Sequence, residues 1–206
     1  MKIAVLTFEG FNELDSFIAC AMINRVKQPR LEALVVCPVE RVSSMNGVIV
    51  HSQAPLSFAR EADAVIVGSG VKTREIVRDE KLMAELRFDP SRQVIAAQCS
   101  GALVLAKLGL LAGVPACTDS MTKPWVVEAG VPVLEQPFVA HGNVATAGGC
   151  LGSHYLAAWV IARLAGWKAA EAVVHYVAPV GEKQEYVERA RAAVRAYLPS
   201  KVHAGA

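Results

Sequence analysis

The sequence predicts an α/β fold, a doubly wound and mostly parallel sheet sandwiched by helices with small antiparallel hairpins, and three observations predict it. Residues 2–8, 31–38, 64–67 and 94–97 are short, near-continuously apolar runs rich in Val and Ile, as strands buried on both faces should be. The intervening segments carry helical spacing instead, with Leu14, Phe17, Ile18, Ala21 and Met22 in the first and Ile76, Val77, Met83 and Leu86 in the second. Regular alternation of the two implies helices laid on the faces of one sheet. The chain has 206 residues, 53% of them hydrophobic, enough to bury one substantial core. With no internal repeat, low-complexity tract or linker, a single domain over residues 1–206 is expected.

Each element has its own signal. Met1-Lys2 leads straight into an apolar run at 3–6 that is soon followed by Glu9, which suits a first strand and is too short for the hydrophobic part of a signal peptide. Residues 42–51 hold Asn46-Gly47 between two β-prone pieces, a strong hairpin signal, and 138–145 turns similarly at His141-Gly142-Asn143. Both read as antiparallel decorations. After Gly148-Gly149 a helix is expected over about 150–164, and 182–197 reads as an exposed, charged C-terminal helix. The apolar stretch 145–162 carries glycines and His154 and stops at Arg163, which fits a buried helix and not a membrane span.

Composition narrows the function classes. Twenty-one basic residues against 19 acidic give a net charge of +2, scattered without the Lys/Arg stripe that nucleic acid requires. The expected partner is a small molecule or a protein, with no nucleic acid and no membrane. Five cysteines, Cys20, Cys37, Cys99, Cys117 and Cys150, are odd in number and include no C-x-x-C pair, so free thiols in a reducing cytoplasm are expected. No histidine or cysteine spacing suggests a metal, and no cofactor motif is found. His141 is expected at a hairpin turn, and His154 and His175 as hydrogen-bonded core residues in apolar helices.

One constellation carries chemistry. The apolar strand 94–97 runs into Gln98-Cys99-Ser100-Gly101 and then the helix-prone 101–106, so Cys99 sits where a strand breaks sharply into a helix. There a thiol projects above the carboxyl end of the sheet, and the first-turn N–H groups favour thiolate and developing negative charge. The alternative is a small buried hydrophobe, the commonest fate of a free Cys. Gly68-Ser69-Gly70 follows another strand at the same sheet edge. Its backbone N–H groups, Gly70 above all, are candidates to form an oxyanion hole with that of Ser100, or simply belong to an ordinary turn.

Cys99-Ser100-Gly101 after a strand, Leu108-Gly109-Leu110-Leu111-Ala112-Gly113 and Thr146-Ala147-Gly148-Gly149 together resemble the ThiJ/PfpI superfamily, related in fold to the class I glutamine amidotransferases. The resemblance runs over nearly the whole chain and implies a flavodoxin-like sheet, a reactive cysteine and a homodimer. It is nearest to the isonitrile hydratase branch, whose elbow reads Cys-Thr-Gly and whose first strand is followed by Leu-Asp; Cys99-Ser100 and Leu14-Asp15 fill those places. The resemblance implies that Asp15 lies against the thiol as proton donor or shuttle. From the residues alone, Asp15, like Glu13, also fits a first-turn acid that complements the helix dipole.

The chain departs from the superfamily where many members place a histidine about twenty residues after the cysteine, a position that Asp119 occupies here. An ionised Asp119 near the thiol would raise its pKa, which disfavours glyoxalase, deglycase or hydrolase chemistry built on a Cys-His pair. The reading that follows is a cysteine-dependent hydratase: Cys99 attacks a small electrophile, Asp15 moves the proton, Ser100, Gly70 and Asp119 line the site, and water releases an N-substituted formamide. The competing reading is a redox-sensing or ligand-binding regulatory protein in which Cys99 is oxidised.

Overall fold

The computed structural model describes residues 1–199; residues 200–206, the end of the domain expected from sequence, lie outside the described residues. In chain order the elements are β1 (Lys2–Leu6), α1 (Glu13–Ile23), β2 (Glu32–Val36), β3 (Arg41–Ser43), β4 (Ile49–His51), α2 (Phe58–Glu61), β5 (Ala64–Val67), α3 (Thr73–Ile76) and α4 (Glu80–Glu85). They continue with β6 (Val94–Gln98), α5 (Gly101–Lys107), α6 (Lys123–Glu128), β7 (Phe138–His141), β8 (Val144–Ala147), α7 (Ser153–Ala165), α8 (Trp167–Val177) and α9 (Lys183–Val194). Single 3-10 turns, Cys150–Gly152 and Arg195–Tyr197, precede α7 and follow α9.

Six strands form one sheet in the order β2-β1-β5-β6-β8-β7, parallel except for β7. The strand period of two assigns alternate residues to opposite faces. Ile3, Val5, Ala64, Ile66, Val94 and Ala96 join a core roofed by α1, α7, α8 and α9, while Ala4, Leu6, Val65, Val67, Ile95 and Ala97 join the core on the other face. Every residue of β5 is completely buried, which explains its lack of polar alternation. The sheet is therefore doubly wound, mostly parallel and flanked by helices, as the sequence predicts.

The two hairpins have different fates. β3 and β4 pair only with each other, as a separate decoration. The second hairpin is built into the main sheet: β8 runs parallel beside β6, and only β7 is an antiparallel addition at the edge. Its turn is held from α7, where the Arg163 guanidinium donates to Gly142 O and Asn143 Oδ1. His141 ends β7 with Nε2 buried and unpartnered.

The expected helix over 150–164 is α7 with its preceding 3-10 turn, and the exposed C-terminal helix is α9. Between them, α8 is a distinct helix separated from α7 by Gly166, whose φ of 86° ends one helix and starts the next. His175, expected in a core, lies exposed on α8 because the apolar stripe of that helix runs through Ala170, Val173 and Val174 instead. Among the described residues, no helix is long and apolar enough to cross a membrane.

The path of the chain creates the site. From β1 it winds outward through α1 to β2, then returns across β1 to β5 and continues to β6. The winding direction thus reverses between β1 and β5, and open α/β sheets form a crevice at the carboxyl ends of strands flanking such a reversal. The loops after β1, β5, β6 and β8 meet at that edge.

Candidate active site

β6 ends at Gln98, and the next residue, Cys99, has φ 45°, the one residue other than glycine with positive φ among those described. A left-handed turn at a residue with a side chain costs about 1–2 kcal/mol. The surroundings hold it in place: Cys99 N–H donates to Ala147 O at 2.8 Å, and Thr118 Oγ1 donates to Cys99 O at 2.8 Å. Gly101 permits the tight bend into α5, since a Cβ there would lie 2.5 Å from Val67 O. The cysteine is thus forced into an elbow between β5 and β8 and is 4% exposed.

Asp15 reaches it from α1. Asn12 caps that helix, its Oδ1 accepting from Leu14 N–H at 3.1 Å. The two acids of the first turn then part ways. Glu13 faces the β3–β4 hairpin, accepting from Ser44 Oγ and from Asn46 Nδ2, and its pKa is held down chiefly by the Ser44 hydrogen bond. Asp15 turns inward and is completely buried, accepting from Ser69 Oγ on one carboxylate oxygen and from Ser153 Oγ on the other at 3.3 Å. A carboxylate serving only the helix dipole would remain in solvent; this one is buried among hydroxyls and thiols.

The third member comes from the turn after β8. Cys150 Sγ accepts from Asn12 Nδ2 at 3.2 Å, and the reactive atoms of Asp15, Cys99 and Cys150 all lie within 4.8 Å of one another. Gln98, fully buried, ties this turn to the elbow: its Nε2 donates to Gly149 O at 2.8 Å and to Cys99 Sγ at 3.4 Å. Burial, followed by the charge of Asp15, pushes the Cys99 thiol well above the usual range, opposed by the Gln98 amide. The same two causes raise Cys150. Burial also raises Asp15, against the hydrogen bonds from Ser69, Cys99, Ser153 and Cys150. The low-dielectric cluster therefore disfavours a second negative charge and makes its carboxylate a stronger base. Two sulfurs and a carboxylate are also a donor set for a soft metal ion, and this is the one such group among the described residues.

Two residues expected at the edge of the site make other hydrogen bonds. Gly70 N–H does not point at a free oxyanion position; it donates to Ser100 Oγ at 3.0 Å, and that hydroxyl also pairs with Thr73 Oγ1 at 2.7 Å. A buried N–H takes the nearest acceptor, and Ser100 supplies it, so the hydroxyl serves to lock the two loops together. Ser100 N–H, at the start of α5, meets no acceptor among the described residues and is a free donor of the elbow. Asp119 spends its Oδ1 on the N–H groups of Met121 and Thr122, fixing the turn into α6. Its neighbour Thr118 makes the contact with the elbow instead.

The residues that the sequence leaves unassigned are Ser69, Ser153, Asn12 and Gln98, while Cys150, at the glycine edge after a strand, reads either as lining the pocket or, preferably, as buried. Ser69 belongs to the glycine turn after β5, and Asn12 precedes the acids of α1 as a capping residue. Ser153 carries no local signal, and Cys150 only its place after Gly148-Gly149. Beside Cys150, a cleft of about 700 Å³ opens between α1, α7, α8 and α9, with Ile18, Met22, His154, Tyr155 and Val177 among its walls. Burial lowers the pKa of His154, whose Nε2 has no partner.

Comparison with known proteins agrees with this geometry. No curated protein sequence matches the chain. Among solved structures, Schizosaccharomyces pombe DJ-1 superposes with a TM-score of 0.73 at 17% identity, covering 87% of this chain and 100% of that one. Drosophila melanogaster DJ-1beta gives 0.74 at 22%, covering 85% and 96%, and an oxidized Toxoplasma gondii DJ-1 gives 0.74 at 20%, covering 85% and 97%. At these identities the likeness is one of fold. The sequence model of the DJ-1/PfpI family matches residues 1–163, a span that contains the elbow, the first-helix acid and both glycine turns, and the chain belongs to that family.

Proposed function

We propose that the protein is a cysteine-dependent hydratase that adds water to an isonitrile-like electrophile, with Cys99 as nucleophile and Asp15 as proton shuttle. The observation that carries this reading is the proximity of Asp15 and Cys99 in a buried cluster. An isonitrile reacts at a single carbon, which receives both the nucleophile and the proton. Thiol and carboxylate must then sit within one atom's reach of each other. Asp15 takes the Cys99 proton as sulfur attacks and delivers it to that same carbon, giving R–N=CH–S–Cys99. Water adds to this thioimidate, the C–S bond breaks, and R–NH–CHO leaves as Cys99 recovers its proton. The raised proton affinity of Asp15 suits this exchange, since it moves the carboxyl toward the operating pH, where a proton shuttle works best.

The hydrogen bonding supports a hydratase over a hydrolase or glyoxalase. No oxyanion develops in the thioimidate step, so the engagement of Gly70 N–H with Ser100 costs it nothing. Ser100 N–H is left for the oxygen that appears only when water adds. Among the described residues, the side chains that act on the thiol are Asp15, Gln98 and Cys150, and none is a histidine. The apolar walls of the cleft beside Cys150 suit a hydrophobic R group. The proposal includes a homodimer: Leu14, Leu151, Tyr176, Val177 and Val180 are all exposed on the elements around that cleft, and covering them is what a second copy would do. A cytoplasmic, small-molecule role completes it.

Formamide production from a simple alkyl isonitrile tests the reaction. The parent protein should turn it over, and Cys99→Ser and Asp15→Asn, folded as judged by circular dichroism, should each lose at least ~100-fold. A parent protein without turnover would exclude isonitrile hydration and favour the regulatory reading, provided a stable oxidised form of Cys99 is found.

A further inference from the structure

Cys150 has no part in the hydration chemistry, yet its sulfur lies within 4.8 Å of both Cys99 Sγ and an Asp15 oxygen. It differs from the other three cysteines in that respect, since Cys20, Cys37 and Cys117 are outside the cluster. Its setting is also distinctive. Asn12 Nδ2 holds the sulfur at 3.2 Å, and the residue opens a single 3-10 turn after Gly148-Gly149. Gly149 has φ 78° and open space where a Cβ would stand, so the turn before Cys150 is uncrowded on that side, while its carbonyl accepts from Gln98 Nε2 at 2.8 Å and from Gly152 N–H at 2.7 Å. Cys150 also lines the cleft, which gives a small oxidant a route to the pair.

We propose that Cys99 and Cys150 form a reversible intramolecular disulfide when the protein meets a hydroperoxide. In the first step a sulfur takes one oxygen from the peroxide, S–H becomes S–OH, and ROOH leaves as ROH. In the second, the other cysteine's sulfur attacks that sulfenic sulfur, the S–O bond breaks, and the hydroxide leaves with the attacking thiol's proton as water. Asp15 lies against both sulfurs and accepts that proton in passing. The product removes Cys99 from reaction and spares it the irreversible climb to sulfinic acid. The inference does not rest on isonitriles being the substrate; it needs only the two sulfurs within 4.8 Å of each other and the glycine turn that carries Cys150.

Treatment of the whole protein with one equivalent of hydrogen peroxide, followed by thiol alkylation and non-reducing peptide mapping, decides it. The expected product has lost about 2 Da and yields one cross-linked pair of peptides, containing Cys99 and Cys150, that dithiothreitol separates. In Cys150→Ala and Cys150→Ser given at least two equivalents of peroxide, Cys99 should instead gain two oxygens, about 32 Da, beyond rescue by dithiothreitol. The idea is overturned if the parent protein accumulates Cys99 sulfinic acid with Cys150 still open to alkylation. It is equally overturned if both thiols remain unmodified, or if the cross-link joins either one to Cys20, Cys37 or Cys117. The parent's peptide map suffices even if neither variant folds, and is independent of any formamide assay.

Discussion

Cys99 and Asp15 each do something that their residue types resist, one adopting a positive φ and the other entering the core as an acid. Burial raises the affinity of Asp15 for its proton above that of the unfolded chain, so the folded state binds more protons than the unfolded one once pH exceeds the ordinary value of 3.8. The stability associated with this group is therefore fully present below that pH and is lost as pH rises through the elevated folded value. Asp15→Asn should raise Tm at neutral pH while abolishing activity, and the gain should vanish near pH 3; thermal melts across pH check this. A Cβ on Gly101 meets backbone oxygen at 2.5 Å, whereas one on Gly149 meets nothing and suffers only its φ. Gly101→Ala should cost about 3 kcal/mol or more, and Gly149→Ala only ~1–2 kcal/mol, as urea titrations would resolve. At this scale the sequence is legible where chemistry and turn coincide, at Cys99 and Asp15. It is silent for Ser153 and leaves Cys150 between pocket and core, because their neighbours in space come from distant parts of the chain.

The elements that position the site are those most deeply packed. α7 is apolar and buried along most of its length because the sheet covers one side and α1, α8 and α9 the others, so it shows little of the one-sided pattern of a surface helix. Trp159 on α7 is completely buried, packs against Phe138 with ring centroids 6.0 Å apart, and donates from Nε1 to Tyr197 O. Trp159→Ala should destabilise the protein by ~3–5 kcal/mol and loosen β7 and the C-terminal turn, a change that hydrogen exchange would place. The central strands β1, β5 and β6 can be read from the sequence because they are buried on both faces and read as nearly unbroken apolar chain. The joining of β8 to the main sheet cannot, because a short hairpin looks the same whether it decorates the surface or lies beside β6. Asp119 stands at the expected distance from Cys99 along the chain, but Thr118 makes the hydrogen bond to the elbow and Asp119 Oδ1 holds the turn into α6.

Across the whole molecule, the fold gathers residues that no local pattern connects. Asp15 follows β1, Ser69 follows β5, Cys99 follows β6 and Cys150 follows β8, and only the reversal of winding at β1 and β5 brings their loops to one edge. The dense core also stores thiols that resist ionisation: burial pushes Cys20 and Cys117 each to about 12 from an ordinary 9.0. Because the folded state holds these protons longer, stability should fall as pH rises from about 9 toward 12, at ~1.4 kcal/mol per unit for each such thiol at most. Denaturation midpoints over that range would check it. The same assembly makes Cys99 and Asp15 a single acid-base unit, and the sharpest test of that unit is the pH dependence of Cys99 alkylation by iodoacetamide, followed by mass spectrometry. In the native protein the rate should rise only above the ordinary thiol range, and in Asp15→Asn the profile should move to lower pH because a neighbouring negative charge is gone. A native profile at or below that of the urea-unfolded protein, unmoved by Asp15→Asn, would mean that the carboxylate and the thiol do not act on each other.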